Sequence, residues 1–152
     1  MKSIVGAEPL GYSLKEAVKK YLISEGYEVT DITEVKPIAY YEVGSEVGQK
    51  ISKGQYERGI IFCGTGMGVN ICANKYKGVF CGLCESVMSA GLCRTINNCN
   101  VLALGGLFNG EYKAIEMVKA FLNTEFAEGF SEASPDFLKD SLLEVEKIDK
   151  SI

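Results

Sequence analysis

The segment Cys63-Gly64-Thr65-Gly66-Met67-Gly68 combines a thiol with three glycines in five residues. It follows a continuous apolar run, residues 59–63, and precedes a stretch with helical spacing. Glycines at such a turn let the backbone approach a ligand closely, and the free N–H groups at the start of the helix point at that ligand. The pattern therefore predicts a turn that holds a phosphate or a developing oxyanion, with Cys63 as a candidate base. An ordinary strand-to-helix connection, in which the glycines merely fit, remains the alternative because short glycine patterns are common.

Two further segments bring polar side chains to predicted element ends. Glu8 follows the first predicted strand, which puts a carboxylate in the same crevice as the glycine turn; a solvated turn carboxylate is the alternative. Asn97 and Asn98 lie where a helix turns into the last strand. They either cap that helix through a left-handed residue or present an amide to a substrate oxygen.

The chain of 152 residues contains no histidine, so it lacks the commonest general base and the commonest metal ligand. Catalysis must therefore use Cys, Asp, Glu, Lys or Tyr. Six cysteines lie between positions 63 and 99, and the spacing of Cys81 and Cys84 suggests a metal site. No second pair with that spacing completes such a site, and the surrounding apolar run reads as a core strand, so we expect buried thiols and no metal.

Charge and hydropathy exclude several classes of partner. The net charge is −4 and no block of Lys or Arg stands out, which argues against nucleic acid and anionic membranes as partners. The first residues contain too short an apolar run for a signal peptide, and no later run is long enough to span a bilayer. We therefore expect a cytoplasmic protein.

Short apolar runs alternate with helix-period stretches along the chain. Five strands alternating with helices predict an α/β fold, a Rossmann-like three-layer α/β/α sandwich with a five-stranded parallel sheet and a C-terminal helical arm. Ligands of such sheets bind beyond the carboxyl ends of the strands. The predicted strands are residues 2–6, 27–32, 59–63, 78–83 and 100–104, and the predicted helices are 13–24, 39–52, 67–75, 86–96, 111–123 and 134–147.

Five motifs in order carry a specific resemblance: Gly6-x-Glu8-x-x-Gly11, Cys63-Gly64-Thr65-Gly66-x-Gly68, Ala73-Asn74-Lys75-x-x-Gly78, Asn97-Asn98-x-Asn100-Val101, and then Gly105 with Gly110. Over about residues 2 to 126 the chain resembles the ribose-5-phosphate isomerase B family, which includes the galactose-6-phosphate isomerase subunits. The resemblance implies a homodimer or homotetramer with active sites between two chains. It also implies metal-free, cofactor-free aldose–ketose isomerisation of a sugar or sugar phosphate through a cis-enediolate. Residues 1–126 then form the isomerase domain, and 127–152 form an arm of the same domain at the subunit interface.

The resemblance also assigns roles to residues. Cys63 matches the base that moves the proton between C1 and C2, and Asn97 matches an amide that contacts the substrate. Glu8 replaces the family's usual aspartate, and Tyr40 lies near the position of an active-site aromatic. The anion hole for the enediolate matches Thr65 and the amides of Gly64, Gly66, Met67 and Gly68.

The departures from the family pattern concern ring opening and phosphate binding. The ring-opening histidine is Ile96 here, and two further family histidines are Pro9 and Glu85. A phosphate-binding arginine is Leu107, and residues 126–139 of the arm contain no arginine. Opening a sugar ring needs a positioned base, so these losses favour an open-chain substrate such as a tetrose 4-phosphate, whose esterified O4 cannot close a five-membered ring.

Without arginines, which grip phosphate bidentately, the substrate anion is smaller or differently placed, and Lys75 or Lys139 becomes its candidate partner. The leading hypothesis is an isomerase of a small sugar phosphate or another open-chain sugar. The alternative is a non-catalytic or partner subunit of a hetero-oligomeric galactose-6-phosphate isomerase. A nucleotide-binding module is disfavoured because G-x-G-x-x-G is absent after the first strand.

Overall fold

A computed structural model describes all residues from 1 to 152. The strands are β1 (Lys2–Ala7), β2 (Glu28–Asp31), β3 (Arg58–Cys63), β4 (Cys81–Leu83) and β5 (Val101–Gly105). The helices are α1 (Tyr12–Ser24), α2 (Tyr40–Ser52), α3 (Met67–Ala73), α4 (Val87–Asn97), α5 (Glu111–Asn123) and α6 (Pro135–Ser151). A single 3₁₀ turn, Pro9–Gly11, links β1 to α1.

The five strands form one parallel sheet in the order β2-β1-β3-β5-β4, which confirms the predicted α/β architecture. The chain first moves outward from β1 to β2 and then returns to β3 on the other side of β1. The strand order therefore reverses between β1 and β3, the place where open α/β sheets bind ligands. Ala7 pairs with Phe62 and Cys63 pairs with Gly105, so the ends of β1, β3 and β5 meet at one edge.

Alternate side chains of each strand point to opposite faces of the sheet, and each face is covered by helices. Ile60 and Phe62 pack in the larger core, against α1, α4 and α5. Ile61 and Cys63 pack in the smaller core, against α2 and α3. The two cores make the predicted three-layer sandwich, and they explain why residues 59–63 are apolar without interruption.

The fourth strand differs from its prediction in length and in place. It covers only Cys81–Leu83 and forms an edge of the sheet, so the interpretation of residues 79–84 as a core strand was wrong. Side chains take the place of a neighbouring strand: Asn74 accepts from the Cys81 amide at 2.8 Å and donates to the Cys81 carbonyl at 3.0 Å. Asn100 accepts from the Phe80 amide at 2.9 Å, just before the strand begins.

All six cysteines are free thiols, and no group of three or more His, Cys, Asp or Glu side chains is arranged to hold a metal ion. No helix has the length and apolar character needed to cross a membrane.

The C-terminal arm contains the helix that the sequence predicts, with a later end. Ser134 caps it by accepting from the Phe137 amide at 3.2 Å, and Pro135 occupies its first turn. The helix continues to Ser151, four residues beyond the predicted end at 147. The Ala127 amide joins the start of the arm to α4 by donating to the Thr95 carbonyl at 2.9 Å.

Candidate active site

The glycine turn folds back on the thiol that precedes it. The Gly66 amide donates to Cys63 Sγ at 3.1 Å, and the Cys63 side chain is buried at the end of β3. Gly66 has a φ of 77°, and a Cβ there would lie 2.7 Å from Leu83 Cδ1, so only glycine fits this position without strain. The Gly66 N–H is therefore aimed at the sulfur atom that the sequence predicts as the base.

Three amides of the turn have no acceptor within the chain: those of Gly64, Thr65 and Gly68. The carbonyl side of the turn is firmly held, because Gly106 donates to the Cys63 carbonyl at 2.8 Å and Leu107 donates to the Gly64 carbonyl at 2.9 Å. The turn is thus anchored by its oxygens and leaves N–H groups for an oxygen of a ligand.

Glu8 lies beside the turn because β1 and β3 are neighbours. Its amide donates to the Phe62 carbonyl at 3.0 Å, one residue before Cys63. Its carboxylate Oε1 accepts from the amides of Leu10 and Gly11, which caps the Pro9–Gly11 turn and fixes the carboxyl group. The second oxygen, Oε2, makes no hydrogen bond within the chain.

The Tyr40 ring packs against the turn at Gly68. It is the first residue of α2, which begins at the same edge of the sheet. A Cβ on Gly68 would lie 2.6 Å from Tyr40 Cδ2, so glycine at 68 leaves the space that the ring occupies. The ring is half-exposed, with one side against the turn and the other open.

A buried ion pair that the sequence analysis missed supports this edge. Lys15 is fully buried, and its Nζ lies 2.6 Å from Asp31 Oδ2. Asp31 Oδ1 accepts from the Thr33 hydroxyl, which itself accepts from the amide of Ala7, the residue before Glu8. Burial alone would raise the pKa of Asp31, but the hydrogen bonds from Lys15, the Thr33 amide and Lys19 outweigh it and hold that pKa below its ordinary value. The available signal was a lysine inside an apolar helical stripe, between Leu14 and Val18.

Asn97 lies at the edge of the sheet where the strands begin, whereas Cys63 lies at the edge where they end. It is the last residue of α4 and precedes β5, whereas Cys63 pairs with Gly105 at the end of β5. The length of β5 alone separates the two edges by about 13 Å. Asn97 instead borders a mostly apolar cavity of about 300 Å³ with Ile96 and Phe137. One chain therefore brings Cys63, Thr65, Glu8 and Tyr40 together and does not bring Asn97 to them.

The cationic side chains are also distant from the turn. Arg58 begins β3 and Arg94 lies in the last turn of α4, so both arginines belong to the edge with Asn97. Lys75 follows α3 at that edge, and Lys139 is exposed on α6. Leu107 is exposed beside the turn.

Comparisons with known proteins identify the family to which the chain belongs. The chain is 41% identical to the 4-deoxy-4-sulfo-D-erythrose isomerase of Clostridium sp. (strain MSTE9), covering 100% of this chain and 98% of that protein. It is 37% identical to the D-erythrulose-4-phosphate isomerase of Pectobacterium atrosepticum, covering 84% and 86%. The solved structure of Clostridium thermocellum ribose-5-phosphate isomerase B superposes with a TM-score of 0.90 at 31% identity, covering 99% of both chains.

The parallel sheet, the thiol-bearing glycine turn and these relatives define an aldose–ketose isomerase. A family model described as Ribose/Galactose Isomerase matches residues 4–135. The chain belongs to the ribose/galactose isomerase family.

Proposed function

We propose that this protein interconverts a four-carbon aldose and ketose that carry an anionic group at C4, a phosphate or a sulfonate, with Cys63 as the base and without a cofactor. The observation that carries the proposal is the geometry of the turn. Cys63 Sγ accepts a hydrogen bond from the Gly66 amide, and three neighbouring amides are free to bind an oxyanion. Relatives named for four-carbon substrates support the chain length of the sugar.

In the proposed reaction, the Cys63 thiolate removes the proton from the hydroxyl-bearing carbon next to the carbonyl group. The charge then develops on the carbonyl oxygen, which accepts hydrogen bonds from the free amides of Gly64, Thr65 and Gly68. The free Oε2 of Glu8 accepts the proton of the neighbouring hydroxyl. The thiol returns its proton to the other carbon, and Glu8 passes its proton to the oxygen that was first the carbonyl oxygen, which completes the isomerisation and restores both groups.

A second copy of the chain supplies Asn97 to this site. Asn97 lies at the far edge of its own sheet, so it reaches a Cys63 turn only on another subunit. Phe137 of α6 is exposed and adjoins the Asn97 cavity, which supports a role of the arm 127–152 in the subunit contact. Each homodimer then contains two sites, and each site is built from opposite edges of two sheets.

The departures from the family select the substrate. A C4 phosphate ester blocks O4 and a C4 sulfonate removes it, so neither sugar closes a five-membered ring. Ile96 contributes only an apolar wall where a ring-opening histidine would act, and such a substrate needs no ring opening. Few cations border the site, which suits the single charge of a sulfonate or a loosely held phosphate.

Proton exchange in D2O tests the proposal directly. We expect the purified protein to transfer deuterium into erythrose 4-phosphate or 4-deoxy-4-sulfoerythrose, followed by NMR, and to leave ribose 5-phosphate nearly unexchanged. Cys63→Ala should slow this exchange by about 10²- to 10⁴-fold, the usual contribution of a general base. Cys72→Ala is the matched control, since Cys72 is a half-buried thiol of α3 outside the turn. Equal exchange by the native protein and Cys63→Ala would refute the assignment.

The second candidate is a partner subunit of a hetero-oligomeric galactose-6-phosphate isomerase. The apolar Ile96 wall favours it, because a second, different chain would then supply the ring-opening group. Activity of the protein purified alone, produced from a single gene, excludes this candidate.

A further inference from the structure

We propose that Arg94 is a positioning residue for isomerisation: its guanidinium holds the turn that presents Asn97 to the active site of the other subunit. The inference rests on the proposed function, in which Asn97 completes that site. Arg94 itself contacts no substrate in this arrangement.

The guanidinium of Arg94 makes its two short hydrogen bonds to residues just after its own helix. The side chain is 3% exposed and lies in the last turn of α4. Its Nη1 donates to Asn98 Oδ1 at 2.8 Å and to the Cys99 carbonyl at 2.7 Å, and its Nε makes a longer contact of 3.4 Å with the Thr124 carbonyl. No carboxylate lies within ion-pair distance of it.

This arrangement is unusual for a buried charge, which is normally paired with an acid. Here the compensation comes from carbonyl and amide oxygens at the negative end of the helix dipole. Removing the guanidinium would leave the oxygens of Asn98 and Cys99 without their donor inside the protein. The guanidinium therefore connects the last turn of α4 to the residues that follow it, Asn98 and Cys99.

The turn that Arg94 holds has a conformation that needs support. Asn98 adopts a left-handed backbone with a φ of 51°, and its amide donates to the Arg94 carbonyl at 3.0 Å. Asn97 immediately precedes it, and its exposed side chain makes no hydrogen bond within the chain. The backbone conformation of this turn thus determines the direction of the Asn97 side-chain amide, and the hydrogen bonds of Arg94 stabilise that backbone conformation.

Two substitutions separate the contact from the backbone conformation. Arg94→Met keeps much of the side-chain volume and removes all donors. Asn98→Gly keeps the left-handed backbone and removes only the acceptor for Arg94, so it serves if Arg94→Met does not fold. We expect Arg94→Met to lower kcat by about 100-fold, the loss that a misplacement of about 1 Å causes, with KM little changed. Asn98→Asp, which keeps the acceptor, should retain near-native kcat. Lys20→Met, at an exposed cation of α1, is the control and should behave as the native protein.

Mixed dimers distinguish this role from general support of the fold. A dimer of Cys63→Ala with Arg94→Met, isolated through two different affinity tags, contains one site with native Cys63 from one chain and native Arg94 and Asn97 from the other. We expect it to have about half of the native activity, as should a dimer of Cys63→Ala with Asn97→Ala, which tests the two-chain site itself.

The mixed dimers distinguish failure of the two-chain site from failure of the role of Arg94. If the mixed dimer of Cys63→Ala and Asn97→Ala is inactive, the two-chain site of the proposed function is wrong, and the role of Arg94 falls with it. If that dimer is active and the one with Arg94→Met is not, Arg94 serves its own chain and only the present inference is overturned. A native kcat in both Arg94→Met and Asn98→Gly homodimers would also overturn it.

Discussion

Replacing Gly66 with alanine tests whether the turn is as tightly fixed as its contacts indicate. A left-handed backbone costs a non-glycine residue about 1–2 kcal/mol. The new Cβ would lie 2.7 Å from Leu83 Cδ1 and 3.0 Å from the Leu104 carbonyl carbon, and the second contact is with backbone of a central strand that cannot move aside. Overpacking of this kind adds about 1–3 kcal/mol, so we expect the free energy of unfolding to fall by about 2–5 kcal/mol.

Gly26 offers a matched control in the same protein. Its φ is 83°, close to the 77° of Gly66, but nothing lies within 4 Å of a Cβ placed there. Gly26→Ala should therefore lose only the backbone contribution of about 1–2 kcal/mol and keep its isomerase activity. The difference between the two variants isolates the steric contribution at the turn.

Urea unfolding followed by circular dichroism measures the stability of both variants, and deuterium exchange into the substrate measures their activity per folded molecule. Gly66→Ala moves the amide that donates to Cys63 Sγ, and a hydrogen bond to a charged group contributes about 1.5–3 kcal/mol, so exchange should slow by about 10- to 100-fold. A Gly66→Ala protein as stable as Gly26→Ala, with native exchange, would refute the reasoning.

Three further perturbations follow from contacts outside the turn. The pKa of Asp31 is depressed by its lysine partners, so its ionised form stabilises the fold above the ordinary pKa of about 3.9 and that contribution disappears as the pH falls through the lowered value. The stability difference between the native protein and Asp31→Asn should accordingly shrink at acidic pH in urea titrations, and a constant difference would contradict this. Asn74→Ala removes the acceptor of the Cys81 amide, while the Cys81 carbonyl keeps its bond from Asn70, so it should cost about 0.5–1.5 kcal/mol, with hydrogen exchange at the Cys81 amide accelerated above that of β5. Burial raises the pKa of Cys81 to about 12, and a hydrogen bond with Cys93 raises the pKa of Cys84, so iodoacetamide near neutral pH should spare Cys81 and Cys84 until urea is added, as mass spectrometry would show.

The fold was predictable because its central strands are buried on both faces. Residues 59–63 form such a strand, and their continuous apolar run reveals it. The glycine turn that follows lies at the end of the sheet where ligands bind. The edge strand was harder, because the apolar run 79–84 does not reveal that the Asn74 side chain takes the place of a neighbouring strand at Cys81. Side-chain hydrogen bonds to a backbone edge leave no periodic signal in the sequence.

The candidate site was predictable in part, for a topological reason. Residues that follow strands, such as Glu8 and Cys63, share one edge in any parallel sheet, so their proximity follows from the order of elements. Asn97 precedes a strand, which assigns it to the opposite edge by the same rule. The support from Lys15 and Asp31 escaped prediction, because a lysine in an apolar stripe does not identify its partner.

The division of the site between two edges also explains which losses the chain tolerates. In the two-chain arrangement that we propose, proton transfer belongs to the Cys63 edge, and ring opening belongs to the edge of Ile96 and Asn97. The Cys63 edge holds the thiol, the amides without an acceptor, the Glu8 carboxylate and Tyr40. The other edge keeps the Asn97 amide and has an apolar wall in place of a titratable side chain. A substrate that never closes a ring requires only proton transfer and the contact with the Asn97 amide. Both groups are present in this one chain, which is consistent with the proposed homodimer that needs no second gene product.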